Sequence, residues 1–231
     1  INKAKNDLHI AYGHTSHGSQ IVEGMTGLVM FRGDLYTFNS GAGSLDLRDN
    51  PFNTGTWSHD LGYPYWPEST RDYLDLNPEV NVVIWSWCSQ VTYANEEYIN
   101  NYLEKMSSLE NDYPDVSFVY MTGHLDGTGL EGNLHGRNEQ IRTYCMNNNK
   151  VLYDFADIET YDPSGNYYGD RYPTDGCNYD YNEDGITSET QYTAEPFNGD
   201  RNWAIDWQDS HVEGIDWYDC ASAPPWKRAR R

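Results

Sequence analysis

The sequence predicts an α/β fold in which a mainly parallel sheet lies between two layers of helices. Three segments, residues 81–87, 116–121 and 150–155, are apolar at successive positions, as strands buried on both faces are. Apolar residues at helical spacing separate them, over residues 98–109 and 134–145. Strand and helix therefore alternate, which is the pattern of a three-layer α/β/α sandwich with right-handed crossovers.

The remaining elements are weaker but fit the same architecture. We expect a first strand at residues 7–12, a helix over residues 20–28 and a shorter helix over residues 67–76. Residues 159–198, called the insertion below, lose all periodicity in Tyr, Asp, Asn, Gly and Pro. Because this stretch is too long for an ordinary connection, we expect an irregular surface insertion towards the C-terminus. A short helix is expected to follow at residues 203–207.

Composition limits the classes of partner. The 231 residues fit a single domain spanning residues 1–231, with a flexible basic tail at residues 221–231. A net charge of −21 argues against nucleic acid and anionic membranes as partners, because both carry the same sign. No run approaches the roughly 20 apolar residues of a membrane helix. Abundant Tyr and Trp, few Lys, and Ile1 in place of an initiator Met favour a secreted protein that handles glycans.

Four cysteines allow three complete disulfide pairings, and none forms the Cys-x-x-Cys pair of zinc or redox sites. We expect at least one disulfide. Cys177 and Cys220 are the favoured pair, because both lie in the polar C-terminal third of the chain. The alternative is that Cys88, Cys145 and these two are all reduced thiols.

Ser16 is the first candidate for a catalytic group, because it directly follows the first predicted strand. Parallel sheets bind substrates beyond the carboxyl ends of their strands. Gly13 and Gly18 flank Ser16, and they would let the backbone turn sharply and direct amide N–H groups towards an oxyanion. A serine hydroxyl becomes a nucleophile only when a histidine accepts its proton, and the chain offers seven histidines.

These residues resemble those of the SGNH or GDSL-like esterases and lipases, over roughly residues 7–157. His14-Thr15-Ser16-His17-Gly18 is similar to the nucleophile block of that family. The resemblance implies an SGNH or flavodoxin-like sandwich, with Gly41 or Gly43 as the oxyanion glycine. Gln90 stands where the family has an oxyanion Asn, and Asp219-Cys220-Ala221-Ser222 lacks the histidine of the closing Asp-x-x-His block.

Two interpretations follow from the missing histidine. In the first, His211 is the base, Asp206 or Asp209 orients it, and Ser16 attacks an acyl ester, which could be an ester on a carbohydrate. In the second, the scaffold has no base and is a non-catalytic module that binds glycans, or forms an extracellular assembly, through the Tyr-rich insertion. A helix-capping role for Ser16 and a surface position for His211 are the corresponding structural alternatives.

Three histidines form a separate candidate cluster. His14 and His17 follow the first strand, and His124 and Asp126 follow the strand at residues 116–121, so all four are expected at one edge of the sheet. They could line the substrate cleft. The alternative is a metal centre, since imidazoles with a carboxylate suit Zn²⁺ or copper.

A second metal interpretation concerns the insertion. Asp180, Asn182 and Asp184 present side-chain oxygens on alternate residues, and Ile186 offers a carbonyl, as in the first half of an EF-hand loop. Gln191 stands at the twelfth position, where the EF-hand has Glu, so the full motif is not met. We expect a structural Ca²⁺ site here, with a solvated acidic turn as the alternative. No organic cofactor is expected.

Overall fold

The computed structural model describes residues 1–52, 58–187 and 200–220. Five strands form the central sheet: β1 (His9–Gly13), β2 (Asp46–Asp49), β3 (Val82–Trp85), β4 (Ser117–Met121) and β5 (Val151–Tyr153). Their order is β2-β1-β3-β4-β5, and every neighbouring pair is parallel. Helices flank this sheet, so the predicted α/β/α sandwich is confirmed.

Eight α-helices lie in the described ranges: α1 (Asn2–Asp7), α2 (Ser19–Tyr36), α3 (Trp66–Leu76), α4 (Gln90–Tyr93), α5 (Glu96–Asp112), α6 (Asn133–Asn147), α7 (Phe155–Glu159) and α8 (Trp203–Asp209). The predicted helices are all found, and α2 is eight residues longer at its C-terminal end than expected. Within the described part of the chain, no helix is both long and apolar enough to cross a membrane.

Helix α5 illustrates how the sequence forms the helical layer. Asn95 caps its N-terminus, because its side-chain oxygen accepts from the Tyr98 backbone N–H at 2.8 Å. Its buried face contains Ile99, Tyr102, Leu103, Met106 and Leu109. This periodic stripe packs against β4 and extends the main core.

The strand order reverses between β1 and β3. From β1 the chain moves outward to β2, then returns past β1 to β3. In open parallel sheets, the carboxyl ends of the two strands at such a reversal border a crevice where ligands bind. The residues that follow Gly13 and Trp85 therefore meet at this crevice.

Close packing joins β1 to β3 at that point. Gly13 is the register partner of Trp85, and a Cβ on Gly13 would overlap the indole ring. The ring is fully buried, stacks on Phe52 with centroids 4.3 Å apart, and donates from Nε1 to Thr70 Oγ1 at 2.9 Å. Glycine at position 13 is thus a packing requirement of the sheet.

The insertion is described as far as residue 187. Two short strands, β6 (Asn178–Tyr179) and β7 (Arg201–Asn202), form an antiparallel pair. A β-bridge between Asp126 and Thr174 attaches the insertion to the loop after β4. The rest of the insertion and the tail at residues 221–231 lie outside the described residues, so the expected flexibility of the tail stays a prediction.

The structure shows no disulfide between Cys177 and Cys220, and the expected pairing stays a prediction. All four cysteines lie in the described ranges, and no disulfide joins any two of them. Cys177 packs against Ala204 in a small satellite cluster, whereas Cys220 lies beside Gly27 of α2.

Asp154 gives a pH-dependent contribution to stability. Its carboxylate accepts from Arg142 at 2.6 and 2.8 Å, from Thr122 Oγ1, and from the Asp157 N–H at the start of α7. Burial alone would raise the pKa of Asp154, but the pairing with Arg142 holds it below the ordinary value. A lowered carboxyl pKa stabilises the fold above the unfolded pKa, and this stabilisation is lost as the pH falls.

We expect Asp154→Asn to lower the free energy of unfolding by roughly 1 to 3 kcal/mol at pH 7, because Arg142 loses a charged partner. Below about pH 4 the difference should shrink, and it should vanish only below the lowered pKa of folded Asp154, where the wild-type carboxyl is protonated as well. Urea unfolding at pH 7 and pH 3 measures both differences. Asp115→Asn, at an exposed carboxylate, is the control. An equal loss at both pH values would show that the charge of Asp154 is not the stabilising feature.

Candidate active site

A cysteine and a histidine meet at the carboxyl ends of β1 and β3. Cys88 is half-buried and lies between β3 and α4. His17 lies in a single 3-10 turn, Ser16–Gly18, that follows β1. The distance from His17 Nδ1 to Cys88 Sγ is 3.3 Å, which is hydrogen-bond distance for sulfur. A thiol and a potential proton acceptor are therefore in direct contact at the switch point of the sheet.

Asp175 completes a chain of three groups. Its Oδ2 lies 3.1 Å from His17 Nε2, and its side chain is only 1% exposed. The insertion carries Asp175 to this position, because the Asp175 N–H donates to the Leu125 carbonyl at 3.0 Å. Sulfur, imidazole and carboxylate thus follow one another as nucleophile, base and orienting group do in acyl-transfer enzymes.

The charges of these groups are coupled. Burial alone would lower the pKa of His17, but hydrogen bonds to Asp175 and Cys88 raise it to about 9. The hydrogen bond from His17 lowers the pKa of the Cys88 thiol, against a smaller opposing effect of burial. Both shifts favour the ion pair of a thiolate and an imidazolium, and the thiolate is the reactive form of a cysteine.

A second imidazole lies against the first. The rings of His17 and His124 stack with centroids 3.7 Å apart and an angle of 15° between their planes. His124 Nδ1 lies 2.9 Å from the Leu125 carbonyl oxygen. Burial, followed by the charge of His17, lowers the pKa of His124, so its ring is neutral.

A buried carboxylate, Asp60, connects the loops that carry the site. It accepts from Thr15 Oγ1 at 2.6 Å, from the Gly62 N–H at 2.8 Å and from Gln90 Nε2 at 3.1 Å. Gln90 Oε1 in turn accepts from the Cys88 N–H at 2.8 Å. Gln90, the expected oxyanion donor, therefore uses its amide to position the Cys88 backbone.

The structure does not assemble the expected pair of Ser16 and His211. Ser16 is exposed, and none of the hydrogen bonds among the described residues involves its hydroxyl; its carbonyl accepts from Ser19. His211 lies at the end of α8, where its ring stacks on Trp207 at 3.8 Å and its Nδ1 contacts the Trp207 carbonyl. Local contacts within α8 thus fix the imidazole that was expected to activate Ser16.

The two aspartates expected to orient His211 have other roles. Asp206 pairs with Arg201 at 2.7 Å and accepts from the Tyr179 hydroxyl at 3.2 Å. Asp209 is exposed at the last position of α8. The Asp206 contacts hold α8 against the β6 and β7 pair, so this carboxylate is structural.

The expected oxyanion glycines lie at the other side of the sheet. Gly41 and Gly43 have φ values of +103° and +81° in an exposed turn. This turn leads into β2, which is parallel to β1, so it borders the amino-terminal edge of the sheet. Cys88 lies at the carboxyl edge. The glycines permit the turn, as a positive φ requires, but they cannot serve this site.

The expected histidine cluster forms in part. His124 and Asp126 line a cleft of about 160 Å³ together with Asp175. His14 is buried apart from them, with its Nε2 2.6 Å from Asp49 Oδ1 and its backbone N–H donating to Asn50. A hydrogen bond with Asp49 of β2 therefore occupies the imidazole of His14.

The loop expected to bind calcium has the predicted turn. The buried Asp180 carboxylate accepts from the Gly185 N–H at 2.8 Å and from the Asp184 N–H at 3.2 Å. Asn182 Oδ1 also accepts from Asp184, and Ile186 is exposed. Calcium binding by these residues stays a prediction.

Sequence reasoning missed Cys88 and Asp175 as functional residues. A cysteine just after a buried strand, at the edge already assigned to His17, was a usable signal. Asp175 had no such signal, because a β-bridge within an aperiodic segment positions it.

Comparison of the chain with protein-family models and with curated proteins found no match. The resemblance to SGNH esterases therefore stays a prediction.

Proposed function

We propose that the protein hydrolyses acyl esters with Cys88 as its nucleophile. The observation that carries the proposal is the continuous chain of contacts from Cys88 Sγ through His17 to Asp175, at the switch point of the sheet. The proposed reaction, ester hydrolysis, is the one expected from the sequence. The nucleophile is Cys88 in place of Ser16, and the base is His17 in place of His211.

In the first half-reaction, the Cys88 thiolate attacks the ester carbonyl carbon and a C–S bond forms. The tetrahedral intermediate collapses as the C–O bond to the alcohol breaks. His17 Nδ1 gives its proton to the departing alkoxide, so a neutral alcohol leaves and a thioester remains on Cys88. Asp175 accepts from His17 Nε2–H and holds the ring in the orientation that directs Nδ1 to the sulfur.

In the second half-reaction, water attacks the thioester carbon. His17 Nδ1, now neutral, takes a proton from that water, and the C–S bond breaks. The products are a carboxylic acid and the Cys88 thiolate beside the reprotonated His17. The electrons and protons of the two halves balance without any further reactant.

The surroundings favour an uncharged, polar alcohol as leaving group, such as a carbohydrate. Tyr93, 85% exposed, lines the cleft beside His124 and offers a face on which a sugar ring could stack. Asp126 lines both this cleft and a larger neighbouring cavity of about 420 Å³. Among the described residues that line the larger cavity, Arg142 is the one arginine and there is no lysine, and Arg142 is paired with Asp154 and Glu139. An anionic substrate would therefore meet no unpaired arginine or lysine from these residues.

Trapping of the acyl-enzyme tests the proposal. The chain, kept reduced and treated with a chelator, is mixed with p-nitrophenyl acetate and quenched in acid, and its peptides are analysed by mass spectrometry. We expect one acetyl group on Cys88. This acetyl group should be absent when the protein is alkylated before the ester is added. Release of p-nitrophenol that persists after complete alkylation of Cys88 would contradict the proposal. No release at all would favour the non-catalytic module that binds glycans.

Thiol reactivity gives a second test. The contact with His17 lowers the pKa of Cys88, whereas burial raises that of Cys145 to about 12. At pH 7 we expect iodoacetamide to modify Cys88 at least about tenfold faster than Cys145, because the thiolate is the reacting species. Peptide mapping over time measures both rates. Equal labelling of the two cysteines would mean that His17 does not activate Cys88.

Secretion of the protein stays a prediction. It depended on composition and on the first residue. The proposed chemistry requires Cys88 as a thiol, so reducing conditions belong in every assay.

A further inference from the structure

His17, His124 and Asp175 form a compact set of potential metal ligands. One ligand atom from each residue lies within 4.8 Å of the others. His17 Nε2 and Asp175 Oδ2 are already 3.1 Å apart. Ligand atoms around a tetrahedral zinc ion are about 3.4 Å apart, given metal–ligand distances near 2.1 Å. Small side-chain movements would therefore bring all three into coordination distance.

His124 provides independent evidence for a ligand at this place. Its residue is 3% exposed, and within the described part of the chain its Nε2 has no hydrogen-bond partner. The other ring nitrogen contacts the Leu125 carbonyl, which can only accept, so Nδ1 carries the proton. Nε2 of the neutral ring is then a buried lone pair. An imidazole fixed through Nδ1–H to a backbone carbonyl is the usual arrangement for a metal ligand.

We propose that His17 Nε2, His124 Nε2 and Asp175 bind one divalent cation of the zinc class, and that this cation switches off the thiol site. Two imidazoles and a carboxylate suit Zn²⁺ better than the hard cations Mg²⁺ or Ca²⁺, which prefer oxygen ligands. The cleft beside His124 and Asp175 gives the ion a path to the site.

Metal binding and catalysis compete for the same atoms. Coordination requires His17 Nε2 without its proton, so the Nε2–H···Asp175 contact that orients the ring is lost and the proton is released to solvent. His17 can then no longer cycle its proton between sulfur, leaving group and water. Only this inhibitory step depends on the proposed function; metal binding itself does not.

Zinc titration of the purified chain tests the site directly. The metal is first removed with a chelator, and the chelator is then removed by dialysis. Calorimetry with ZnCl₂ should then show one equivalent of zinc bound per chain. His124→Gln should weaken binding by about 100-fold or more, since even changes around metal ligands cost about 10- to 100-fold. His135→Gln is the matched control, because His135 lies on α6 outside the cluster. Asp175→Asn, nearly isosteric, is a second variant if His124→Gln does not fold.

The inhibitory step is measured by ester hydrolysis with and without one equivalent of zinc. Each variant is compared with its own zinc-free rate. We expect wild type to lose activity by about tenfold or more, and His124→Gln to lose much less at the same zinc concentration. No zinc binding by folded wild type would overturn the metal site, and bound zinc without inhibition would overturn the switch. Absence of acyl transfer in chelated protein would contradict only the proposed function, because calorimetry still reports on metal.

Discussion

Cys88→Ala is expected to reduce ester hydrolysis by about a thousandfold or more, whereas Ser16→Ala should leave the rate nearly unchanged. The first variant removes the sulfur that contacts His17, which is the proposed nucleophile. The second removes a hydroxyl without a hydrogen-bond partner among the described residues, exposed to solvent. Initial rates of p-nitrophenyl acetate hydrolysis, measured at equal concentrations of folded protein, compare the two variants with wild type.

Combination with His17→Ala makes this test sharper. Residues that act as one unit give non-additive losses, so Cys88→Ala with His17→Ala should be no slower than Cys88→Ala alone. Circular dichroism confirms that each variant is folded. If Ser16→Ala abolishes hydrolysis while Cys88→Ala retains it, the serine esterase expected from the sequence is correct and the thiol mechanism is excluded.

Gly13→Ala is expected to lower the free energy of unfolding by about 1 to 3 kcal/mol, and by more if the strand must shift. The added methyl group would overlap the Trp85 ring. That ring has no free space to enter, because Phe52 stacks on it and Thr70 holds its Nε1–H. Denaturant unfolding measured by tryptophan fluorescence gives the difference.

Gly24→Ala is the matched control for this substitution. Gly24 lies inside α2, and a Cβ there meets nothing within 4 Å. Alanine is the better helix former, so this variant should gain about 0.5 to 1 kcal/mol. Similar destabilisation of both variants would mean that the cost arises from loss of glycine in general and not from the contact with Trp85.

The sheet was predictable where its strands are buried. The apolar runs that contain Trp85, Met121 and Tyr153 predict strands in the centre of a parallel sheet, because both faces of such strands are buried. Strand β2 was missed, because Asp46-Leu47-Arg48-Asp49 is short and mostly polar. It lies at the edge of the sheet, where one buried side chain, Leu47, suffices to anchor it. The spacing of apolar residues therefore cannot predict such a strand from the sequence.

The site was predictable in position but not in composition. The polar residues after β1 border the crevice at the reversal of the strand order, as the topology of parallel sheets requires. Which of these residues has a chemical role depends on the side chains that it contacts from other loops. Such contacts arise from the tertiary structure and are not visible in the sequence. Cys88 was considered only as a disulfide candidate, and the contact of His17 with Asp175 crosses 158 positions of the chain.

The bridge between Asp126 and Thr174 has a consequence for any attempt to engineer this protein. The central sheet is complete at β5, so a chain shortened after this strand would still contain all five strands. The segment after β5 delivers Asp175, the third member of the proposed catalytic chain, and it is attached through a few backbone contacts. A shortened chain could keep its sheet and its sulfur and still be inert.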